Sequence, residues 1–179
     1  GGGGLAFRRS DGTVMYYYQN APGSSSYHAT FPPTDTSTVL HVVGGGYTRQ
    51  FREGGSETYD ASGRLLTIAD RVGATTFLTY TDGRLTGIAD TGGRSLTLDY
   101  EGGPVVKKLH GPAGLIASYE YQTLPLSPDV QVLSSVTYPD SEDPGTDPDG
   151  GYTYVYDPAE GPTLGYLTEV HDLEGKVVE

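Results

Sequence analysis

Between Tyr59 and Tyr121 glycine returns about every ten residues, at Gly63, Gly73, Gly83, Gly93, Gly103 and Gly114. Three of these close one four-residue signal: Asp60-Ala-Ser-Gly63, Asp70-Arg-Val-Gly73 and Asp90-Thr-Gly-Gly93. Asp opening a type I turn hydrogen-bonds the backbone ahead of it, and Gly in fourth place accepts the left-handed conformation that follows. Gly111-Pro-Ala-Gly114 reuses the length with the preset φ of proline, and Asp82-Gly83 makes a tighter corner. Between corners lie runs of about six or seven residues, the length of strands rather than helices. The stretch reads as a succession of hairpins.

The ten-residue spacing nests in a repeat of about twenty. Tyr59-Asp-Ala-Ser-Gly-Arg-Leu-Leu-Thr-Ile-Ala-Asp70 recurs, one residue shorter, as Tyr80-Thr-Asp-Gly-Arg-Leu-Thr-Gly-Ile-Ala-Asp90. A worn third copy begins at Tyr100 and a fourth at Tyr121. The residues that define the pattern are Tyr59, Asp60, Gly63, Arg64, Leu65, Asp70 and Gly73, then Tyr80, Gly83, Arg84, Leu85, Asp90 and Gly93, then Tyr100 and Tyr121. This pattern resembles the YD repeat, or RHS repeat, of bacterial Rhs toxins, of the shell components of insecticidal toxin complexes, and of teneurins. His110 departs from it where copy three would carry its second Asp, and Gln122 where an Asp would follow Tyr121. The resemblance implies an all-β antiparallel meander of hairpins, curved into part of a hollow spiral shell around an encapsulated polypeptide. Three segments follow: 1–58, N-terminal hairpins with a Pro/Ser loop; 59–121, YD repeats; and 122–179, degenerate repeats with an acidic insertion.

Inside the repeats the two-residue alternation of a half-buried strand fails. Leu85 and Ile88 would point to opposite faces of a regular strand, as would Phe77 and Leu78. Either a bulge sits near Gly87, or both faces are partly covered, as a curved wall would allow.

Composition agrees. Among 179 residues there are 27 Gly, 12 Pro and 15 Tyr, with one Met and no Trp, which suits many turns and half-buried strands. No window holds apolar residues at helical spacing, so almost no helix is expected. With no Cys there are no disulfides and no thiolate metal sites. No apolar run reaches membrane-spanning length, and Gly1 to Gly4 reads as a tag remnant, a cut end or an interior piece. The net charge of −12 sits after residue 108, where Lys176 alone faces 13 acids. Such a surface repels phosphate backbones and anionic lipid, so neither nucleic acid binding nor membrane insertion is expected.

Before the repeats, Leu5-Ala-Phe-Arg-Arg and Thr13 to Gln19 flank an Asp11-Gly12 corner. Tyr16-Tyr17-Tyr18 is a stacking platform for sugars or bases, or a strand buried on one face and sheltered on the other; the second is preferred. Asn20 to Pro33 reads as an aperiodic Pro/Ser loop, and Gly44-Gly45-Gly46 as a hairpin turn, since no Lys-Ser/Thr follows to make a phosphate loop. After Tyr121, the prolines of Leu124-Pro-Leu-Ser-Pro128 argue against an interior strand. Val130 to Tyr138 resumes a strand and Gly151 to Tyr156 returns antiparallel to it.

Between those strands Asp140, Glu142, Asp143, Asp147 and Asp149 form an acidic tip. Carboxylates so dense can ligate calcium. The spacing is not that of an EF-hand, and Asp147-Pro-Asp-Gly150 is a strong type I turn on its own, so an exposed hairpin tip is the preferred reading. His28, His41, His110 and His171 are scattered, no G-x-S-x-G occurs, and the recurring Asp residues sit where turns use them. Rhs-like self-cleavage would need Pro five residues before the Asp of an Asp-Pro pair, which neither Asp143-Pro144 nor Asp147-Pro148 has. The expectation is a structural, non-catalytic shell segment without cofactor, secreted or at the cell surface as part of a bacterial delivery system. Its partners would be proteins: the rest of the shell, the encapsulated cargo, or copies of itself paired edge to edge through the C-terminal strand around Val177 and Val178. The alternative is an extracellular binding module presenting tyrosines to a glycan or a cell-surface protein.

Overall fold

The computed structural model describes residues 4–9, 11–31, 37–42, 45–124, 127–139, 150–157 and 165–178. It is an all-β antiparallel meander, with no helix among the described residues. Two compact units divide it, residues 1–94 and 95–179. The first holds β1 (Gly4–Arg8), β2 (Val14–Gln19), β3 (Ser26–Phe31), β4 (Thr38–His41), β5 (Tyr47–Gln50), β6 (Ser56–Tyr59), β7 (Leu65–Ala69), β8 (Thr75–Thr81) and β9 (Arg84–Asp90). The second holds β10 (Ser95–Asp99), β11 (Lys108–Gly111), β12 (Gly114–Leu124), β13 (Ser127–Tyr138), β14 (Gly150–Tyr156) and β15 (Leu167–Asp172). Within each unit every strand pairs antiparallel with the next in sequence.

The Asp-x-x-Gly corners share one construction. The Gly63 N–H donates to the Asp60 carbonyl at 3.0 Å, and the Asp60 N–H donates to the Arg64 carbonyl at 2.9 Å. The Asp60 carboxylate then accepts the N–H groups of Ser62 and Arg64 at 2.8 and 2.9 Å. Asp70 does the same for Val72 and Ala74, and Asp172 for Glu174 and Lys176. This is a type I turn closed by a left-handed residue, with the donors of the corner satisfied by its own side chain. Gly63, Gly73 and Gly93 take φ of 85°, 90° and 83°, and a Cβ on any of them would meet nothing within 4 Å. Dihedral preference alone therefore selects glycine there. Asp82 and Gly83 both have positive φ, the signature of the tighter two-residue hairpin turn. In the third copy the left-handed pair is Glu101 and Gly102, so Gly103 does not play the part of Gly63.

The broken alternation of Leu85 and Ile88 has a cause that recurs, whereas Phe77, on a strand without an extra residue, stays on the face opposite Leu78 and exposed. Thr79 pairs with Gly87 but Tyr80 pairs with Leu85, leaving Thr86 as an extra residue on β9. Thr58 pairs with Thr67 and Tyr59 with Leu65, leaving Leu66. The same step recurs at Tyr121 opposite Leu133 and at Tyr156 opposite Leu167. Each bulge shifts the pleat by one residue. Leu85 and Ile88, three apart, thus join Tyr80 and Leu78 on one face.

Three local expectations are corrected. The segment from Asn20 to Pro33 contains a strand, β3, because Gln19 and Asn20 bind back to it: the Asn20 N–H donates to the Ser26 carbonyl and Gln19 pairs with Tyr27. Tyr27 accordingly packs against the core formed by Met15, Tyr17 and Val39. Pro128 lies inside β13, tolerated because Thr123 pairs with Gln131 and Leu124 with Ser127, so that residues 128–130 bow out of the ladder to β12. Of the three consecutive tyrosines, Tyr17 is fully buried, while Tyr16 and Tyr18 on the opposite face are half-exposed rather than sheltered.

Because the corner glycines are chosen by φ and not by space, Gly73→Val should destabilise by about 1–3 kcal/mol and Gly73→Asn by clearly less, since Asn tolerates the left-handed region. Urea midpoints of the two variants test this; equal losses would mean that crowding, not the dihedral, selects Gly73.

Candidate functional site

Phe7 on β1 meets the ring of Tyr59 on β6 edge to face, with centroids 5.8 Å apart. Between these strands lies a hollow of about 1070 Å³, lined by Leu5, Phe7, Val39, Tyr47, Phe51 and Leu65 among others, with Arg8, Arg9 and Asp11 also in its lining. At its wall sits Arg49, 4 % exposed. Its guanidinium stacks on Phe7 at 4.4 Å and on Phe51 at 4.7 Å. Its Nε donates to the Tyr17 hydroxyl at 3.0 Å and to the Ser37 hydroxyl at 3.1 Å, and these two hydroxyls bond each other at 2.7 Å. One terminal nitrogen pairs with the Glu57 carboxylate at 3.2 Å, and Glu57 also accepts the Tyr59 hydroxyl at 2.6 Å. A buried cation is tolerable only when paired and hydrogen-bonded in this way. Burial, reinforced by the bond to Glu57, holds the Tyr59 phenol far above the usual tyrosine range.

Sequence reasoning missed this cluster. The one available signal was the Gly54-Gly55 corner: the Phe51 N–H donates to the Gly55 carbonyl, which sets Arg49 directly opposite Glu57. Nothing local, however, marks Arg49 as buried.

The residues singled out in the repeats form a second constellation. Arg64 bonds the carboxylate of Asp60 through Nε at 2.7 Å, and its guanidinium lies 5.4 Å from the ring centre of Tyr80 in the next copy. Lys107 takes the same relation to Tyr121, 5.5 Å above the ring. Arg94 binds Asp90 through Nε at 2.7 Å. Tyr59, Tyr80, Tyr100 and Tyr121 are all half-buried, and Tyr59, Tyr80 and Tyr121 face the Leu that follows their own corner or its equivalent on the next strand. The N–H of Arg64 and then its side chain hold the Asp60 carboxyl below the usual carboxylate range, and Arg94 does the same for Asp90. These carboxylates are spent on their corners. The histidines serve separate strands: His28 bonds Asn20, His41 stacks near Tyr47, and His171 bonds Glu169. Asp140, Glu142, Asp143, Asp147 and Asp149, the calcium candidates, lie outside the described residues.

Residues 59–95, which carry two of these corners-with-bulge and the Arg64–Tyr80 stack, match the RHS Repeat family model. No curated protein matches the chain. Among solved structures it is similar to a chain of "Crystal Structure of TcdB2-TccC3 without hypervariable C-terminal region", at 15% identity and a TM-score of 0.47, over 93% of this chain but only 9% of that one. The matched residues span β7 to β9 with the end of β6 and the start of β10, and supply Tyr59 to the lining of the hollow.

Two outcomes are expected. Arg49→Ala strands Glu57 and both hydroxyls in a buried setting and should cost about 3–5 kcal/mol, whereas Arg49→Met with Glu57→Leu, which removes both charges, should cost clearly less; chemical denaturation of the two variants decides. For the corners, the folded-state carboxyls of Asp60 and Asp90 are more acidic than the unfolded value of about 3.9. Their contribution is therefore present above that value and lost as pH falls through the lower folded one. Melting temperature should drop below about pH 4, and the Asp60→Asn, Asp90→Asn double variant should start lower and lose less on acidification.

Proposed function

We propose that this chain is a segment of a YD-repeat wall: a structural, non-catalytic element of a shell that encloses a toxin or other polypeptide. The observation that carries this reading is the return of the same parts along the chain: tyrosines set at bulges (Tyr59, Tyr80), corners satisfied by their own Asp (Asp60, Asp70, Asp172), and a cation over the next copy's tyrosine (Arg64 on Tyr80, Lys107 on Tyr121). A unit whose contacts go to its immediate neighbours can be added in series, which is what extending a wall requires. The shell would act outside the cell, secreted or surface-borne through a bacterial delivery system, with the remainder of its own shell and the enclosed polypeptide as partners. The glycan-binding alternative called for an exposed tyrosine in a concave groove; the one from the Tyr16–Tyr18 run that lines the hollow is Tyr17, which is fully buried.

Series addition is directly testable. A second copy of residues 60–80 inserted after Tyr80 keeps phase and strand direction, so the melting temperature should stay within about 4 °C, roughly 1 kcal/mol for a chain of this size. Inserting residues 60–69 alone adds one strand and reverses every strand that follows, and should cost far more. Equal damage from the two insertions would overturn the modular-wall reading.

A further inference from the structure

The second unit carries a surface that neither the repeat pattern nor the wall reading assigns. Tyr119 stands opposite Val136, Val136 opposite Tyr152, and Tyr152 opposite Asp172. Directly opposed residues share a face, and so do residues two apart on a strand. Tyr119, Tyr121, Tyr138, Tyr152, Tyr154 and Tyr156 therefore lie together on one face of β12, β13 and β14. The other face carries Glu120, Ser135, Thr153 and His171 in register. The crowding shows in two phenols: Tyr154 is raised by burial and then by Tyr138 and Tyr152, and Tyr121 by burial and then by Tyr119. Yet this face is not closed into a core as in the first unit. Tyr138 and Tyr152 remain 40% and 38% exposed.

Two features say what would cover it. The first is charge: residues 95–179 hold Lys107, Lys108 and Lys176 against fifteen Asp and Glu, while residues 1–94 balance. The whole net of −12 thus belongs to the unit that bears the tyrosines. The second is a contact already made inside the molecule. Lys107, whose Nζ pairs with Glu120 at 2.9 Å, also lies over the ring of Tyr121, 5.5 Å from its centre. A cation on a phenol ring is attracted by the ring quadrupole, and more so within a negative field. Tyrosine adds a hydroxyl for backbone groups and loses little rotamer freedom when covered.

We propose that the tyrosine face of β12–β14 is a docking surface for an extended polypeptide rich in Arg or Lys, whose cations stack on Tyr138 and Tyr152 as Lys107 does on Tyr121. This deepens the wall reading by naming the partner that touches one face. A nucleic acid is repelled by the same charge that attracts the peptide.

The chain has no Trp, so tyrosine emission is its intrinsic signal, and six of its fifteen tyrosines lie on this face. The full chain is titrated with an unstructured Arg/Lys-rich peptide of about twenty residues that lacks aromatic side chains, and in parallel with a Glu-rich peptide of equal length. Saturable binding of the basic peptide alone is expected, weakening as salt rises. Tyr138→Ser with Tyr152→Ser should weaken it about five- to thirtyfold, at roughly 0.5–1 kcal/mol per stacked cation. Tyr138→Leu with Tyr152→Leu, which keeps apolar area but removes the quadrupole, should weaken it similarly and guards against a folding defect. Tyr16→Ser with Tyr18→Ser should leave it unchanged. Unaltered affinity in both face variants, or equal binding of the Glu-rich peptide, overturns the proposal. If in-phase repeat insertion is tolerated while the basic peptide fails to bind, the wall reading stands and only the docking surface falls.

Discussion

One extra residue at recurring tyrosines decides what this chain can bury. In an antiparallel pair side chains alternate strictly, so apolar residues three apart cannot share a face unless the ladder slips by one. Here it slips at Tyr59, Tyr80, Tyr121 and Tyr156, and the slip gathers Tyr80, Leu85 and Ile88 on one side. Had β9 run straight, Leu85 would point away from the face that Tyr80 and Leu78 occupy. The bulge thus turns a sequence with no clean period into a sheet with one apolar face.

The corners make that arrangement cheap to repeat. Each Asp satisfies two donors of its own turn, so the corner draws nothing from the core. Arg64 then spans from its own Asp60 to the next copy's tyrosine, coupling neighbours through an ion pair and a ring at once. A surface ion pair alone contributes little. Joined to a half-buried ring it also sets the spacing of successive hairpins, which is what a serial architecture needs.

The two units use the same hairpins differently. In the first, Phe7, Tyr17 and the sandwiched guanidinium of Arg49 pack together at the wall of a hollow. In the second, one face stays partly open and is paved with tyrosine, in a unit carrying the whole of the net charge. One unit satisfies its aromatic face internally. The other leaves that face available to a partner.

The sequence by itself determined the Asp-x-x-Gly corners, the antiparallel order and the repeat, because turn chemistry is local: Asp, Gly and their neighbours carry the information such a turn needs. It also narrowed the broken alternation of Leu85 and Ile88 to a bulge or a two-sided sheet. Only the tertiary structure decided between these, since a bulge is defined by the partner strand. The same dependence hid β3, whose residues show no period of their own, and the place of Pro128 in a bowed stretch of β13. It hid Arg49 as well: whether a charged residue on a short strand is buried turns on which distant strand folds over it, here β1 through Phe7. Six tyrosines scattered over three strands likewise become one surface only when register is known, because facing is a property of pairs of strands and not of either strand alone.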